Sequence, residues 1–266
     1  MYPSINIAGM TIPSYGLMLI VAAIAMWSML TILSKIKKGI DYHDILCVYL
    51  IGICGAIVGA FLLRPVMKLI EVVIFWENYA SIPIGEMVDY LVGEIVFYGG
   101  LLGGIIAIIF FCRKFDIKIT PLLDLFAPSL ALGHSIGRVG CFFAGCCYGI
   151  EVSYAHPFSV IYPEASIGAP QGVPLLAIQL IESAFLLAMS AALTVIYLKA
   201  KKHGLCATIY LLIYPTGRFI LEFFRGDMIR GNYGFFTTSQ LISIIVFICG
   251  ILYFLHINRF FRRRFI

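Results

Sequence analysis

Apolar residues in this chain run in long unbroken stretches rather than in alternation. Seven stretches reach the roughly 20 residues that a helix needs to cross the hydrocarbon core of a bilayer. They cover about 14–34, 44–67, 92–112, 121–144, 174–198, 205–225 and 237–257. They predict helices and not barrel strands, which would show alternating runs of about ten residues. The fourth and sixth stretches are the least apolar, because each contains charged residues. The opening segment, Met1 to Pro13, carries no Lys or Arg. A cleavable leader with a basic start is therefore not expected.

The polar positions between the stretches give an orientation. Lys35, Lys37 and Lys38 follow the first stretch, and Arg113, Lys114 and Lys118 follow the third. Lys199, Lys201 and Lys202 follow the fifth, and Arg259, Arg262, Arg263 and Arg264 follow the seventh. These alternate boundaries hold 13 of the 19 basic residues. Basic residues concentrate in cytoplasmic loops, so the N-terminus is expected outside and the C-terminus in the cytoplasm. The expected architecture is an all-α, seven-helix polytopic membrane protein, one transmembrane domain over 1–266. The connections at about 68–91 and 145–173 are expected outside.

Composition narrows the function classes. The chain is 61% hydrophobic and 12% charged, with a mean hydropathy of +0.99. A soluble domain carries about a quarter charged residues. The composition excludes a cytosolic enzyme, a disordered scaffold and an ordinary nucleic-acid binder. Neither internal repeats nor low-complexity segments are visible. Of the eight cysteines, Cys47, Cys54, Cys112, Cys206 and Cys249 are scattered through apolar segments. These five are expected to act as small hydrophobes.

Six basic residues stand apart from the inside clusters: Arg64, Lys68, Arg138, Arg218, Arg225 and Arg230. An ionisable residue at membrane depth is a functional-site hypothesis by default. Snorkelling to the headgroups competes evenly with that reading for Arg64, Lys68 and Arg230. It competes less well for Arg138 and Arg218, which lie in the densest polar segments.

The first such segment runs from Gly133 to Gly149. On a helix His134, Arg138, Cys141 and Gly145 fall on one stripe, and Gly133, Gly137, Gly140 and Ala144 form a neighbouring stripe of small residues. Small stripes let helices approach closely in lipid. The second segment, Gly217 to Asp227, puts Arg218, Glu222 and Arg225 on one face, with one positive charge in excess. A guanidinium presents a planar fork suited to phosphate oxygens, so two helices carrying Arg138 and Arg218 could clamp one lipid phosphate. A self-satisfied ion-pair triad is the plainer alternative. In the third stretch Tyr98 precedes Gly99-Gly100-Leu101-Leu102-Gly103-Gly104, and in the first Tyr15 follows Pro13-Ser14; either tyrosine also suits an interfacial belt. Gln179 and Glu182 are three apart on one face of the fifth. Cys141, Cys146 and Cys147, with His134, fit no common zinc spacing, so no metal is expected there. A disulfide from one of them to another outside cysteine stays open.

In order, these motifs resemble the bacterial prolipoprotein diacylglyceryl transferase family over nearly the whole chain. The resemblance rests on Tyr15-Gly16-Leu17-Met18, Gly99-Gly100-Leu101-Leu102-Gly103, and Gly137-Arg138-Val139-Gly140 with Gly145 and Gly149. It extends to Gln179-Leu180-Ile181-Glu182, Gly217-Arg218-Phe219 with Glu222 and Arg225, and Ser239-Gln240-Leu241-Ile242-Ser243. It implies seven spans in the bacterial inner membrane, with phosphatidylglycerol as donor and a preprolipoprotein signal peptide with its lipobox cysteine as acceptor. Membrane lipids are the only other expected partners; no nucleic acid, metal or other cofactor is implied. Tyr98, His134, Arg218 and Glu222 become the expected catalytic residues. Tyr15, Arg138, Gly140, Cys141, Gly145 and Arg225 become the expected substrate-binding residues.

The chain departs from the family pattern at three positions. Tyr98 stands where the family usually has His, Cys141 where it has Asn, and Cys146 where it has Glu. His134 is therefore a candidate substitute base, and another nucleophile than a lipobox thiol is an open variant. Two readings from other classes compete. A non-enzymatic lipid-binding or transport protein would form no covalent product. A thiol-redox protein would depend on its cysteines, whereas here Cys146 and Cys147 are expected not to be catalytic.

Overall fold

The computed structural model of the chain describes residues 3–7, 10–79, 82–92, 97–164, 166–227, 232–233 and 235–263. Two compact units divide the chain: one made of Met1–Lys38 and Thr120–Ile266, the other of Gly39–Ile119.

The first unit opens with a hairpin, β1 (Ser4–Ile7) and β2 (Met10–Pro13), which runs straight into α1 (Ser14–Ile36). In the second unit α2 (Tyr42–Ile74) is followed by the short α3 (Trp76–Tyr79), α4 (Ile84–Val92) and α5 (Phe97–Lys114). The first unit resumes with α6 (Ile119–Ala144), β3 (Ser159–Ile161), β4 (Pro174–Leu176), α7 (Ile178–Lys199) and α8 (Leu205–Glu222). The last pair, β5 (Asn232–Tyr233) and β6 (Phe236–Thr237), precedes α9 (Thr238–Arg263). The strands form three separate antiparallel pairs in the connections.

Six of these helices, α1, α2, α6, α7, α8 and α9, are long and apolar enough to cross a membrane. The third expected stretch forms α5, whose preceding residues 93–96 lie outside the described set. Large apolar side chains face outward along α1 (Ile20, Ile24) and α9 (Ile245, Leu252), as a lipid-facing surface requires. The protein is thus a predominantly helical, multi-pass membrane protein.

The boundaries differ from the sequence expectation in three places. Helix α2 runs to Ile74, so part of the expected 68–91 connection is helical. There Lys68 pairs with Glu71 at 2.7 Å, and the hydroxyls of Tyr79 and Tyr90 also bond Glu71. Lys68 is held by protein partners and not by headgroups alone. The fifth stretch begins as strand β4, and its helix starts only at Ile178. The sixth tightens at Glu222: Phe223, Phe224 and Arg225 donate to Ile220, Leu221 and Glu222 in i→i+3 bonds that close the last turn.

Within the second unit α2 and α5 touch backbone to backbone. A Cβ on Gly99 would collide with the Gly59 carbonyl, and one on Gly103 with that of Gly55, so only glycine admits this approach. In the first unit Ser135 and Ser183 exchange hydroxyl-to-carbonyl hydrogen bonds of 2.9 Å between α6 and α7. Ser190 adds another to the Pro128 carbonyl at 2.8 Å. The charge that weakens the fourth stretch has a structural use: buried Asp124 accepts from the Gly204 and Ala207 amides and caps the N-terminus of α8. At the other end of the neighbouring helix, Lys37 donates to the Tyr197 and Ala200 carbonyls, both at 2.8 Å. A cation there satisfies the last carbonyls of α7.

Candidate active site

Helices α6, α7 and α8 bring the polar residues of their sequences to one buried cluster. Arg138 on α6 reaches Glu182 on α7 with Nη2 to Oε1 at 3.0 Å. Arg218 on α8 reaches the other oxygen of Glu182 at 3.9 Å and its own i+4 neighbour Glu222 at 2.6 Å. Arg225 stands 4.0 Å from Glu222 and grips Asp227 through two hydrogen bonds of 3.0 and 2.9 Å. The Glu182 and Glu222 side chains are each 3% exposed, so these carboxylates serve the guanidiniums and not solvent.

The expected excess positive charge in the second segment is absent: Asp227 balances Arg225, and Glu182 balances Arg138. Hydrogen-bonding geometry is incomplete on both sides of these ion pairs: Glu182 Oε1 and Glu222 Oε2 accept no well-formed hydrogen bond among the described residues. A guanidinium has five N–H groups, and the buried Nε of Arg138 and Nη1 of Arg218 find no hydrogen-bond acceptor among the described residues. Buried donors without acceptors are costly.

Surrounding residues fix the cluster. Thr237 donates to Glu222 at 3.0 Å, and Ser239 accepts from Arg218 at 3.3 Å. Both are placed by a capping box at the start of α9, in which the Thr237 amide bonds the Gln240 side chain and the Gln240 amide bonds the Thr237 hydroxyl. Tyr214, one turn before Arg218, meets the His134 ring edge-on at 5.1 Å. His134 therefore sits one helical turn from Arg138 at the edge of the cluster.

Tyr15 of α1 lies against Gly140 of α6; a Cβ there would stand 3.3 Å from the Tyr15 ring and 3.0 Å from Met18. Helix α6 ends in a Schellman motif, in which a left-handed residue turns the chain back on the helix. The Gly145 amide returns to the Phe142 carbonyl and the Cys146 amide to the Cys141 carbonyl, with Gly145 at a φ of 71°. This turn delivers Cys146 to Cys141 and exposes the Cys146 carbonyl to Gln179, whose amide donates to it at 2.8 Å. Gln179 also meets the Tyr162 hydroxyl at 2.9 Å. Burial pushes the Tyr162 phenol up to about 12, so it works as a neutral hydrogen-bonding group. Hydrogen bonds to Cys141 and Cys147, with burial, hold the Cys146 thiol far above its ordinary range, which leaves it a neutral thiol and a poor nucleophile.

Of the residues singled out from sequence, Tyr15, His134, Arg138, Gly140, Cys141, Gly145, Arg218, Glu222 and Arg225 all lie in the first unit, on these elements. Tyr98 opens α5 in the second unit, beside the glycines that pack on α2. Arg230 lies outside the described residues. Glu182, the hub between Arg138 and Arg218, stands out in sequence as a polar residue on a helix face and as the end of the Gln179-Leu180-Ile181-Glu182 motif, with no role assigned to it. Sequence reasoning misses Tyr214, although its i, i+4 spacing to Arg218 is readable. It misses Thr237 too, and it names Ser239 only within the motif that opens the last stretch; the Thr237-x-x-Gln240 capping signature marks their helix start.

A family model described as prolipoprotein diacylglyceryl transferase matches residues 3–256. The phosphatidylglycerol–prolipoprotein diacylglyceryl transferase of Clostridium tetani is 35% identical over 252 residues, covering 95% of each chain. A protein of Clostridium perfringens with the same name and the number 2 is 33% identical, covering 96% of this chain and 94% of its own. The Dehalococcoides mccartyi protein of that name is 30% identical, over 96% and 92%.

Proposed function

Since the chain belongs to the prolipoprotein diacylglyceryl transferase family, we propose that its buried arginine cluster holds the phosphate of phosphatidylglycerol while the diacylglyceryl group passes to a prolipoprotein. The protein is a membrane transferase of lipoprotein maturation. The observation that carries the site assignment is the pair of buried, acceptorless donors on Arg138 and Arg218.

The reaction is a displacement at carbon. The lipobox cysteine of the signal peptide loses its proton, its sulfur attacks the glycerol carbon that bears the phosphodiester, and the carbon–oxygen bond breaks. A thioether forms and glycerol phosphate leaves with the bonding electrons. Arg138 and Arg218 stabilise the charge that grows on the leaving phosphate. Glu182 and Glu222 set the direction of the two guanidiniums, and Arg225, itself fixed by Asp227, adds a third cation at the same end. Tyr15 lines the donor side against Gly140, and Gly145 and Cys141 shape the end of α6 beside it. His134, one helical turn from Arg138, is the candidate base that takes the thiol proton. The chain crosses the bacterial inner membrane seven times, N-terminus outside, with the site at the outer half.

The test is direct. Purified protein is incubated with labelled phosphatidylglycerol and a lipobox peptide. A lipidated peptide and released glycerol phosphate in equal amounts support the reading. Absence of both, with folded protein, overturns it, and a product on a different acceptor moves the assignment to another nucleophile.

A further inference from the structure

We propose that Cys141, Cys146 and Cys147 form a binding site for a single thiophilic d10 cation, with Zn2+ as the physiological type, that clamps the C-terminal end of α6 to the turn behind it. The three sulfurs all lie within 4.8 Å of one another.

Local backbone geometry makes this convergence. In a Schellman motif the second residue past the helix folds back over the third residue before its end. Here those two positions are Cys146 and Cys141, joined by the Cys146 amide to the Cys141 carbonyl. The Cys146 sulfur also lies 3.7 Å from that carbonyl. Adjacent residues ordinarily point their side chains apart, so Cys147 would turn away from Cys146. Cys147 instead takes a φ of 59°. That left-handed conformation is one that few residues other than glycine adopt. The thiol returns to the other two, so that all three sulfurs converge within 4.8 Å. The spacing is C-x4-C-C across a helix end, which no linear zinc pattern describes, and that is why the sequence points away from metal.

The distances and charges suit a soft dication. Zn–S bonds of about 2.3 Å place the sulfurs of a three-thiolate site about 3.8–4.0 Å apart. Small side-chain rotations bring three sulfurs that lie within 4.8 Å to that separation. Binding replaces three S–H bonds by three S–metal bonds and releases three protons. Three thiolates around a dication leave one negative charge. Arg138 lies close enough to Cys141 and Cys147 to interact with their charge, and Arg225 does so with Cys147. No fourth His, Cys, Asp or Glu joins the group among the described residues, so water completes the shell. Cys146 and Cys147 are half-buried, which leaves the ion an entry path.

The experiment uses the full chain in detergent, reduced and stripped of metal, titrated with Cd2+ to read the thiolate-to-metal absorption and with Zn2+ as competitor. The expected result is one ion per chain, about three protons released per ion, and displacement of Cd2+ by Zn2+. Cys141→Ser, Cys146→Ser and Cys147→Ser should each weaken binding at least tenfold, while Cys54→Ser and Cys249→Ser leave it unchanged. A second measurement needs no variant: one equivalent of Zn2+ should protect Cys141, Cys146 and Cys147 from alkylation, located by mass spectrometry, and leave Cys54 and Cys249 as reactive as before. No absorption at one equivalent, no protection of the three thiols, or protein isolated without reductant carrying two of the three as a disulfide would overturn the site. These readouts do not depend on lipid transfer.

Discussion

Arg138 and Arg218, on different helices, share one carboxylate: Glu182 meets the first at 3.0 Å and the second at 3.9 Å. Two guanidiniums this close would repel each other in a buried site, and Glu182 is what lets them stand together. Removing one partner of a buried ion pair leaves an uncompensated charge, at about 3–5 kcal/mol. Glu182→Gln, of nearly the same size, should therefore lower the stability of the folded protein by about that amount. Glu164 is exposed. Glu164→Gln should change stability by less than about 0.5 kcal/mol. Thermal unfolding in detergent measures both, and equal midpoints would remove Glu182 from its central place.

The turn at the end of α6 gives a second expectation. Gly145 sits at a φ of 71°, and a Cβ there would collide with the Ser166 Cβ. A left-handed conformation costs a side-chain-bearing residue about 1–2 kcal/mol before any clash is counted. Gly145→Ala should destabilise the protein by at least that much. At Gly137 a Cβ meets nothing within 4 Å. Gly137→Ala should therefore stabilise or be neutral. Unfolding curves of the two variants compare them directly.

Much of this architecture is legible in the sequence. Long apolar stretches locate the helices, because lipid demands that every backbone group be bonded within its own segment. Arg138, Arg218 and Glu222 stand out because charge inside such stretches has no solvent to satisfy it. Pairings between helices are not legible. That Glu182 reaches across to Arg138 and Arg218 depends on how α6, α7 and α8 pack, which periodicity within one helix does not contain. The extension of α2 to Ile74 is hidden because Lys68 and Glu71 end the apolar run, while their bonds to Tyr79 and Tyr90 support the helix through tertiary contact. The thiol cluster is hidden for another reason. Linear spacing does not show that a helix end folds its following residues back onto it.

The expected orientation rests on basic residues at alternate connections, and two single-cysteine positions test it. Lys201 lies in an exposed connection after α7, and Glu77 in the exposed α3. With the native cysteines blocked beforehand, Glu77→Cys should react with a membrane-impermeant maleimide added to intact cells. Lys201→Cys should react only after lysis. Lys37 is a poor reporter for this purpose, because its amine caps α7. The reverse labelling pattern would place the N-terminus in the cytoplasm.

The arginines carry the most demanding expectation. If charge alone mattered, lysine would replace Arg138 and Arg218 with little loss. Their arrangement argues for geometry: each spends some N–H groups on a carboxylate and still presents one buried donor without an acceptor. Lysine has a single ammonium on a flexible stem and cannot hold the carboxylate and the ligand in one plane. Deleting a donor to a developing anion costs about 3–4 kcal/mol, or two to three orders of magnitude in rate. Arg138→Lys and Arg218→Lys should each lower turnover about a hundredfold or more with the protein folded and inserted. Arg64→Lys, on α2 of the other unit, should lower it less than tenfold. The measurement is lipidated peptide formed per inserted protein. A common loss for all three variants would mean that these cations anchor helices and grip no phosphate, whereas a loss confined to Arg138 and Arg218 assigns the phosphate to the two guanidiniums that Glu182 holds together.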